Sequence, residues 1–273
     1  MPLPRAPRRP KIVRHEEAAE RLGRRILGGE IMPGATLPNA TELARQMAVS
    51  RTALREAIKL FAGKGLVEST PQRGTVICSR LAWNRLDEDV LVWQTGKKPN
   101  AAFMRDLYEL RRIVEPEAAA LAATRATSTH LADIGRALSM MASAKLDSPL
   151  SVGADVAFHL LILVASGNDF LASFAPAIRT SLTIAISFQR TSCHAVGHFV
   201  PDHQAIVAAI RRGDADSARA AALKQLSRAE GDASEALKRG SRAAWSQFNA
   251  PTDFLGPGAI VAGPMGDGDI QGR

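Results

Sequence analysis

The sequence predicts a mainly α protein, with an N-terminal winged helix-turn-helix and a C-terminal all-α helical bundle. Three observations carry this. Apolar residues recur at helical spacing along most of the 273 residues. One stretch, residues 66–78, has the short β-prone runs and central turn of a hairpin, and it follows three short helical patterns. Charge is also unevenly placed. Residues 1–80 hold 15 Lys+Arg against 7 Asp+Glu, which is the whole net +8, and residues 81–273 hold 20 of each. A basic module ahead of a neutral body suits a polyanion partner for the first and a different task for the second.

Each element has its own signal. Residues 1–13 carry four prolines and four basic residues and read as a flexible basic arm. The winged module spans 14–78. Ala18, Leu22 and Ile26 recur every four residues, and Gly28-Gly29 end that helix. Met32–Ala35 is turn chemistry. Asn39 with Glu42 three residues on predicts a capped second helix through Leu43, Ala44 and Met47. Ala48-Val49 turn the chain, and Ser50 caps a third helix to about Ala62. Its apolar face is Leu54, Ala57, Ile58 and Phe61; Arg51, Arg55 and Lys59 fall on another. Two short strands around Pro71–Gly74 follow.

Residues 79–100 form a linker with one short docking helix between Trp83 and Trp93. From 101 to 239 the pattern is helical: about 101–125, 128–145, 149–166, 169–191, 200–212 and 214–239, with breaks at Ser148-Pro149, Gly167-Asn168, Gly197 and Gly213-Asp214. Residues 240–273 are rich in Gly and poor in large apolar groups, which predicts a disordered tail. An apolar fraction of 46% is enough for a sizeable core. No apolar run is long enough to span a bilayer, and the basic N-terminus lacks the apolar stretch of a secretory signal. No membrane partner is expected. Two cysteines, Cys78 and Cys193, offer no disulfide framework, so the cytoplasm is the expected compartment.

In a helix-turn-helix the second helix of the pair enters the major groove. Here that helix begins at Ser50, and Arg51 and Arg55 project from its first two turns, where base edges are reachable. The hydroxyls of Ser50 and Thr52 suit phosphate oxygens, and Arg73-Gly74 stands at the wing tip. A basic helix face is commonly just solvated. The charge asymmetry, helix order, cap and wing together favour double-stranded DNA as partner.

The run Leu37-Pro38, Glu42-Leu43-Ala44, Val49–Ala57, Leu60, Gly65-Leu66-Val67 and Arg73-Gly74-Thr75 resembles the DNA-binding domain of GntR-family transcriptional regulators. The resemblance implies DNA contacts from Arg51, Thr52, Arg55 and Gly74. Thr41 stands where the family commonly has an arginine.

In the body, Asp155 and His159 are i, i+4 on one helix and share a face. With His203 on a later helix they offer a donor set for Zn²⁺, Ni²⁺ or Mn²⁺; a surface pair or a core hydrogen bond is the ordinary alternative. Arg111 is out of place. It lies on the same stripe as Leu107, Val114, Ala118 and Leu121, where a charge needs a partner. Glu115 at i+4 can supply one, and so can an anionic ligand.

Residues of this half (Glu109–Pro116, Asp155–His159, Ala165–Asn168, His203–Ile210 and Gly213-Asp214) resemble the effector domain of the FadR branch of that family. The resemblance implies a bundle holding one divalent metal by an Asp and three His, beside a small carboxylic acid. Asp155, His159 and His203 match three ligand positions, and Gln225 stands where the fourth His is expected. The linker from Trp83 to Trp93 is similar to that of sugar-acid regulators of this branch, those responding to D-galactonate in particular.

The function expected is therefore a transcriptional regulator, a homodimer on a palindromic operator. It is expected to repress sugar-acid catabolism genes and to be released by an aldonate-like carboxylate that engages Arg111. It is not expected to be an enzyme. Two alternatives use the same residues: a helical metal-dependent hydrolase, which leaves the basic module unexplained, and a metal sensor with a DNA-binding module.

Overall fold

The computed structural model describes residues 15–95, 101–145, 148–189 and 195–238. The arm at 1–13, the tail at 240–273, Cys193 and the end of the linker lie outside them. The chain divides into two compact units. One comprises residues up to Leu110 with Ser173–Ser181; the other comprises Arg111–Ala172 and the chain from Leu182 onward.

The first unit opens with α1 (His15–Leu27), α2 (Ala40–Met47) and α3 (Arg51–Gly63). Asn39 Oδ1 accepts from the Glu42 amide and Ser50 Oγ from the Ala53 amide, both at 3.0 Å, so both helices start where the capping residues place them. Ala48 turns the chain between them in the left-handed region, at φ 54°. Strands β1 (Val67–Thr70) and β2 (Gly74–Ile77) pair antiparallel, Val67 opposite Ile77 and Thr70 opposite Gly74. The segment after α1 does more than turn. Leu37 donates to Thr75 and Ile77 donates to Ala35, so residues 35–37 flank the free side of β2. Ala18, Leu22, Ile26 and Phe61 are fully buried, and Leu22, Ile26 and Phe61 form one core with Leu54, Leu66 and Ile77.

The linker belongs to that core. Helix α4 (Glu88–Thr95) begins at Asp87, whose carboxylate accepts from the Asp89 and Val90 amides. Trp93 meets the Phe61 ring edge-on at 5.4 Å, and Trp83 donates its indole N–H to the Cys78 carbonyl. A Cβ at Gly23 would stand 2.5 Å from the Trp93 ring, so α1 needs glycine there. Lys64 at the end of α3 is buried and ion-paired with Asp87 and Asp89, at 2.6 and 2.9 Å.

Helices α5 (Ala101–Arg125), α6 (Ser128–Ser143), α7 (Pro149–Ala165), α8 (Asp169–Ser173), α9 (Ala175–Gln189), α10 (Ala195–Arg211) and α11 (Ala215–Lys238) follow. Two expectations are corrected. The helix expected over 169–191 is two, because Pro176 lacks the N–H that would bond the Ala172 carbonyl and restricts the residue before it. The break expected at Gly197 is absent. α10 runs through Gly197 and Pro201, since one lost backbone bond does not outweigh a well-packed helix. In the second unit α7 is buried on nearly all sides, from Val152 through Ala165, and packs on α6; α10 packs on α11 and α6.

Candidate nucleic-acid interface and candidate metal centre

The two capped helices hold the first set of residues. Arg51, Thr52 and Arg55 are exposed at the start of α3. Neither arginine has an ion-pair partner among the described residues. Their neighbours differ: Lys59 pairs with Glu56 at 3.0 Å, and Arg45 on α2 with Glu42 at 2.8 Å. Ser50 uses its oxygen as the cap acceptor, which leaves the hydroxyl proton to donate. Arg73 and Gly74 are exposed at the hairpin turn. Gly74 has φ +73°, a conformation that favours glycine, with no atom nearer than 3.8 Å to a Cβ placed there. These groups can meet phosphates and base edges without first breaking an internal pair.

The second set converges inside the bundle. Asp155 and His159 come from α7 and His203 from α10, and all three are buried. One donor atom from each lies within 4.8 Å of the others. Nε2 of both imidazoles stands 3.3 Å from Asp155 Oδ1. Neither Nε2 has a well-formed hydrogen bond among the described residues, although both are buried. The other ring nitrogens are engaged. His203 Nδ1 lies 2.6 Å from the Phe199 carbonyl, and His159 Nδ1 lies 2.9 Å from Glu115 Oε2. Each partner holds the Nδ1 proton and turns Nε2 inward; on His159, whose imidazole is raised to about 9, the Nε2 lone pair is available only once the second ring proton has left. Phe158 and Phe199 wall His203 edge-on at 5.0 and 4.9 Å and keep the place apolar. A carboxylate and two oriented imidazoles, buried beside aromatic rings, fit a divalent ion of the Zn²⁺, Ni²⁺ or Mn²⁺ kind. Gln225 is buried on α11, and its Oε1 has no hydrogen-bond partner among the described residues.

Arg111 is 1% exposed and donates from Nε to Glu115 Oε1 at 2.6 Å. The internal ion pair that the i+4 spacing allowed is therefore formed. Glu115 is buried between Arg111 and His159. Burial disfavours charge on both Glu115 and His159, but their partners prevail. Arg111 and His159 hold the Glu115 carboxyl down at about 2, and Glu115 with Asp155 pushes the His159 imidazole up to about 9. The contact of Glu115 with His159 has no local sequence signal, because it joins α5 to α7. Nor has that of Lys64 with the linker acids.

The architecture defines a class: a winged helix-turn-helix DNA-binding unit followed by a helical unit built around an internal polar centre. Residues 14–77 match the bacterial regulatory proteins of the gntR family, and residues 106–249 match the FCD domain. The chain belongs to the GntR family of bacterial transcription regulators, in its FadR-type branch with an FCD domain. Proteins of this kind are regulators and not enzymes, which removes the hydrolase alternative. The chain is 35% identical over 208 residues to the galactonate operon transcriptional repressor of Escherichia coli (strain K12), covering 75% of this chain and 90% of that protein. It is 31% identical over 213 residues to the HTH-type transcriptional regulator LutR of Bacillus subtilis (strain 168), covering 75% and 94%. A solved structure titled "Lar controls the expression of the Listeria monocytogenes agr system and mediates virulence" shares the fold. Its TM-score is 0.56 at 20% identity, covering 81% of this chain and 96% of that one. No helix among the described residues is long and apolar enough to cross a membrane.

Proposed function

We propose that this regulator is a homodimeric repressor whose hold on a palindromic operator is released by a small carboxylate of the aldonate kind. Arg51, Thr52, Arg55 and the Arg73-Gly74 wing tip read the DNA, helped by Ser50. Asp155, His159 and His203 hold one divalent metal, with Gln225 at the fourth position. Arg111 meets the ligand's carboxylate. The observation that carries the reading is the buried convergence of Asp155, His159 and His203, whose inward Nε2 atoms have no well-formed hydrogen bond among the described residues. Supporting it, a relative 35% identical is named a galactonate operon repressor. Two-fold operators mirror two-fold proteins. For release, the ligand must bind the two conformers unequally.

Glu115 already holds Arg111, so an incoming carboxylate competes for it. That fact favours a second reading, in which the metal alone is the signal. One experiment separates the two. Thermal shift of the full chain with aldonates and uronates, each with and without Zn²⁺, Ni²⁺ or Mn²⁺, is followed by anisotropy on labelled promoter DNA. Release by an acid only when metal is present supports the first reading. Release by metal alone supports the second, and no response to either removes both.

A further inference from the structure

Glu115 touches both residues that the functional reading singles out. Its Oε1 accepts from Arg111 Nε at 2.6 Å, and its Oε2 stands 2.9 Å from His159 Nδ1. It is 5% exposed, on the α5 face turned toward α7. A carboxylate on the remote nitrogen of a ligating histidine fixes the ring and raises the basicity of the other nitrogen. Here the same carboxylate is shared with an arginine. What Arg111 withdraws from Glu115, Glu115 cannot give to His159.

We propose that Glu115 is a positioning residue that couples Arg111 to the metal centre, so that anion binding at Arg111 and metal binding at Asp155, His159 and His203 reinforce one another. The proposal rests on the metal reading of those three residues. A carboxylate ligand that recruits Arg111 draws the guanidinium away from Glu115. Glu115 then accepts the His159 Nδ1–H more strongly, and Nε2 becomes a better donor to the ion. The metal in turn holds His159 in the tautomer that needs Glu115, which loosens the claim of Glu115 on Arg111. Linkage of this kind is reciprocal by necessity.

The test uses Co²⁺ alone as probe on the full-length protein, read by its visible absorption and by titration. Glu115→Gln keeps the side-chain shape and removes the charge. It is expected to weaken Co²⁺ about 10–100-fold and to shift the absorption bands, although Glu115 is not itself a ligand. Arg111→Lys keeps the charge and loses the forked hold on Glu115. It is expected to strengthen Co²⁺ binding severalfold, the opposite direction. A merely structural role for the pair predicts unchanged bands in both variants and equal affinities. That result overturns the proposal, as does a weaker Co²⁺ site in Arg111→Lys. If Glu115→Gln does not fold at the assay temperature, the direction of the Arg111→Lys change decides. If the unaltered protein takes up no Co²⁺, the metal reading falls and this proposal with it; if the unaltered protein binds and the variants bind alike, only the coupling falls.

Discussion

In the DNA-binding unit the arginines of α3 stand in solvent, while the interior is Leu22, Ile26, Leu54 and Phe61. In the helical unit the arrangement is reversed. Ile113 on α5 is 70% exposed, and Arg111, two residues before it, is 1% exposed against Glu115. The first unit pairs several of its charges internally, Lys64 with Asp87 and Asp89 among them, but leaves Arg51 and Arg55 without an ion-pair partner among the described residues. The second answers its charges internally, then leaves a few donor atoms facing one another. The difference separates two kinds of functional residue. An exposed Arg51 has no internal ion pair to break among the described residues, which is what the proposed DNA contact requires. A buried Arg111 is already held by Glu115, so the proposed ligand role requires an anion that competes for it.

The largest expected effect breaks the buried pair. Arg111→Ala leaves Glu115 without its strongest cation in a dry interior and should cost about 3–5 kcal/mol in denaturant unfolding. A loss below 1 kcal/mol would show that solvent reaches the pair and would weaken the contrast between the units. Acidity and alkali attack the same place from both sides. Glu115 is lowered from 4.5 to about 2, so its contribution is present above pH 4.5 and lost as pH falls toward 2. His159 is raised from 6.5 to about 9, so its contribution is present below pH 6.5 and lost as pH rises through 9. Without metal, the melting temperature of the helical unit should therefore be highest between about pH 4.5 and 6.5. A midpoint still climbing from pH 6.5 to 9 would contradict the protonated His159.

Next in size is a change in the apolar unit. Gly23→Ala puts a methyl 2.5 Å from the Trp93 ring. Trp93 is boxed in by Phe61 and cannot simply swing away, so overpacking should cost about 1–3 kcal/mol. Thermal melting reads this directly. An unchanged midpoint would mean that α4 lifts off α1 without penalty, and that the linker is a tether and not part of the core.

The winged unit was legible because its determinants are local. Caps at Asn39 and Ser50, the Ala18, Leu22 and Ile26 stripe and the hairpin turn all act within a few residues. The helices after the linker were legible, but not all their ends. Pro176 divides one helix and Pro201 does not divide another, and packing decides which. Within the candidate metal centre, Asp155 and His159 could be read from i, i+4 spacing. His203, on a later helix, completed that donor set in the sequence, and the family resemblance marked the three as ligand positions. The role of Glu115 could not be read, since spacing pairs it with Arg111 and only packing brings it to His159.

The smallest expected effect concerns the α3 face that first suggested DNA. Arg51, Arg55 and Lys59 look equivalent at i, i+4 and i+8, yet Lys59 is paired with Glu56 and lies two turns from the helix start. Arg55 has no such partner. Arg55→Ala should cost about 1–3 kcal/mol at the operator and relax the sequence preference, measured by anisotropy on specific and scrambled duplexes. Lys59→Ala should change folding by less than about 0.5 kcal/mol, because an exposed pair contributes little. It should also leave specificity intact, lowering affinity only through the salt-dependent phosphate attraction common to all sequences. If Lys59→Ala relaxes specificity as much as Arg55→Ala, the distinction between paired and unpaired cations fails, and the whole basic face reads the groove together.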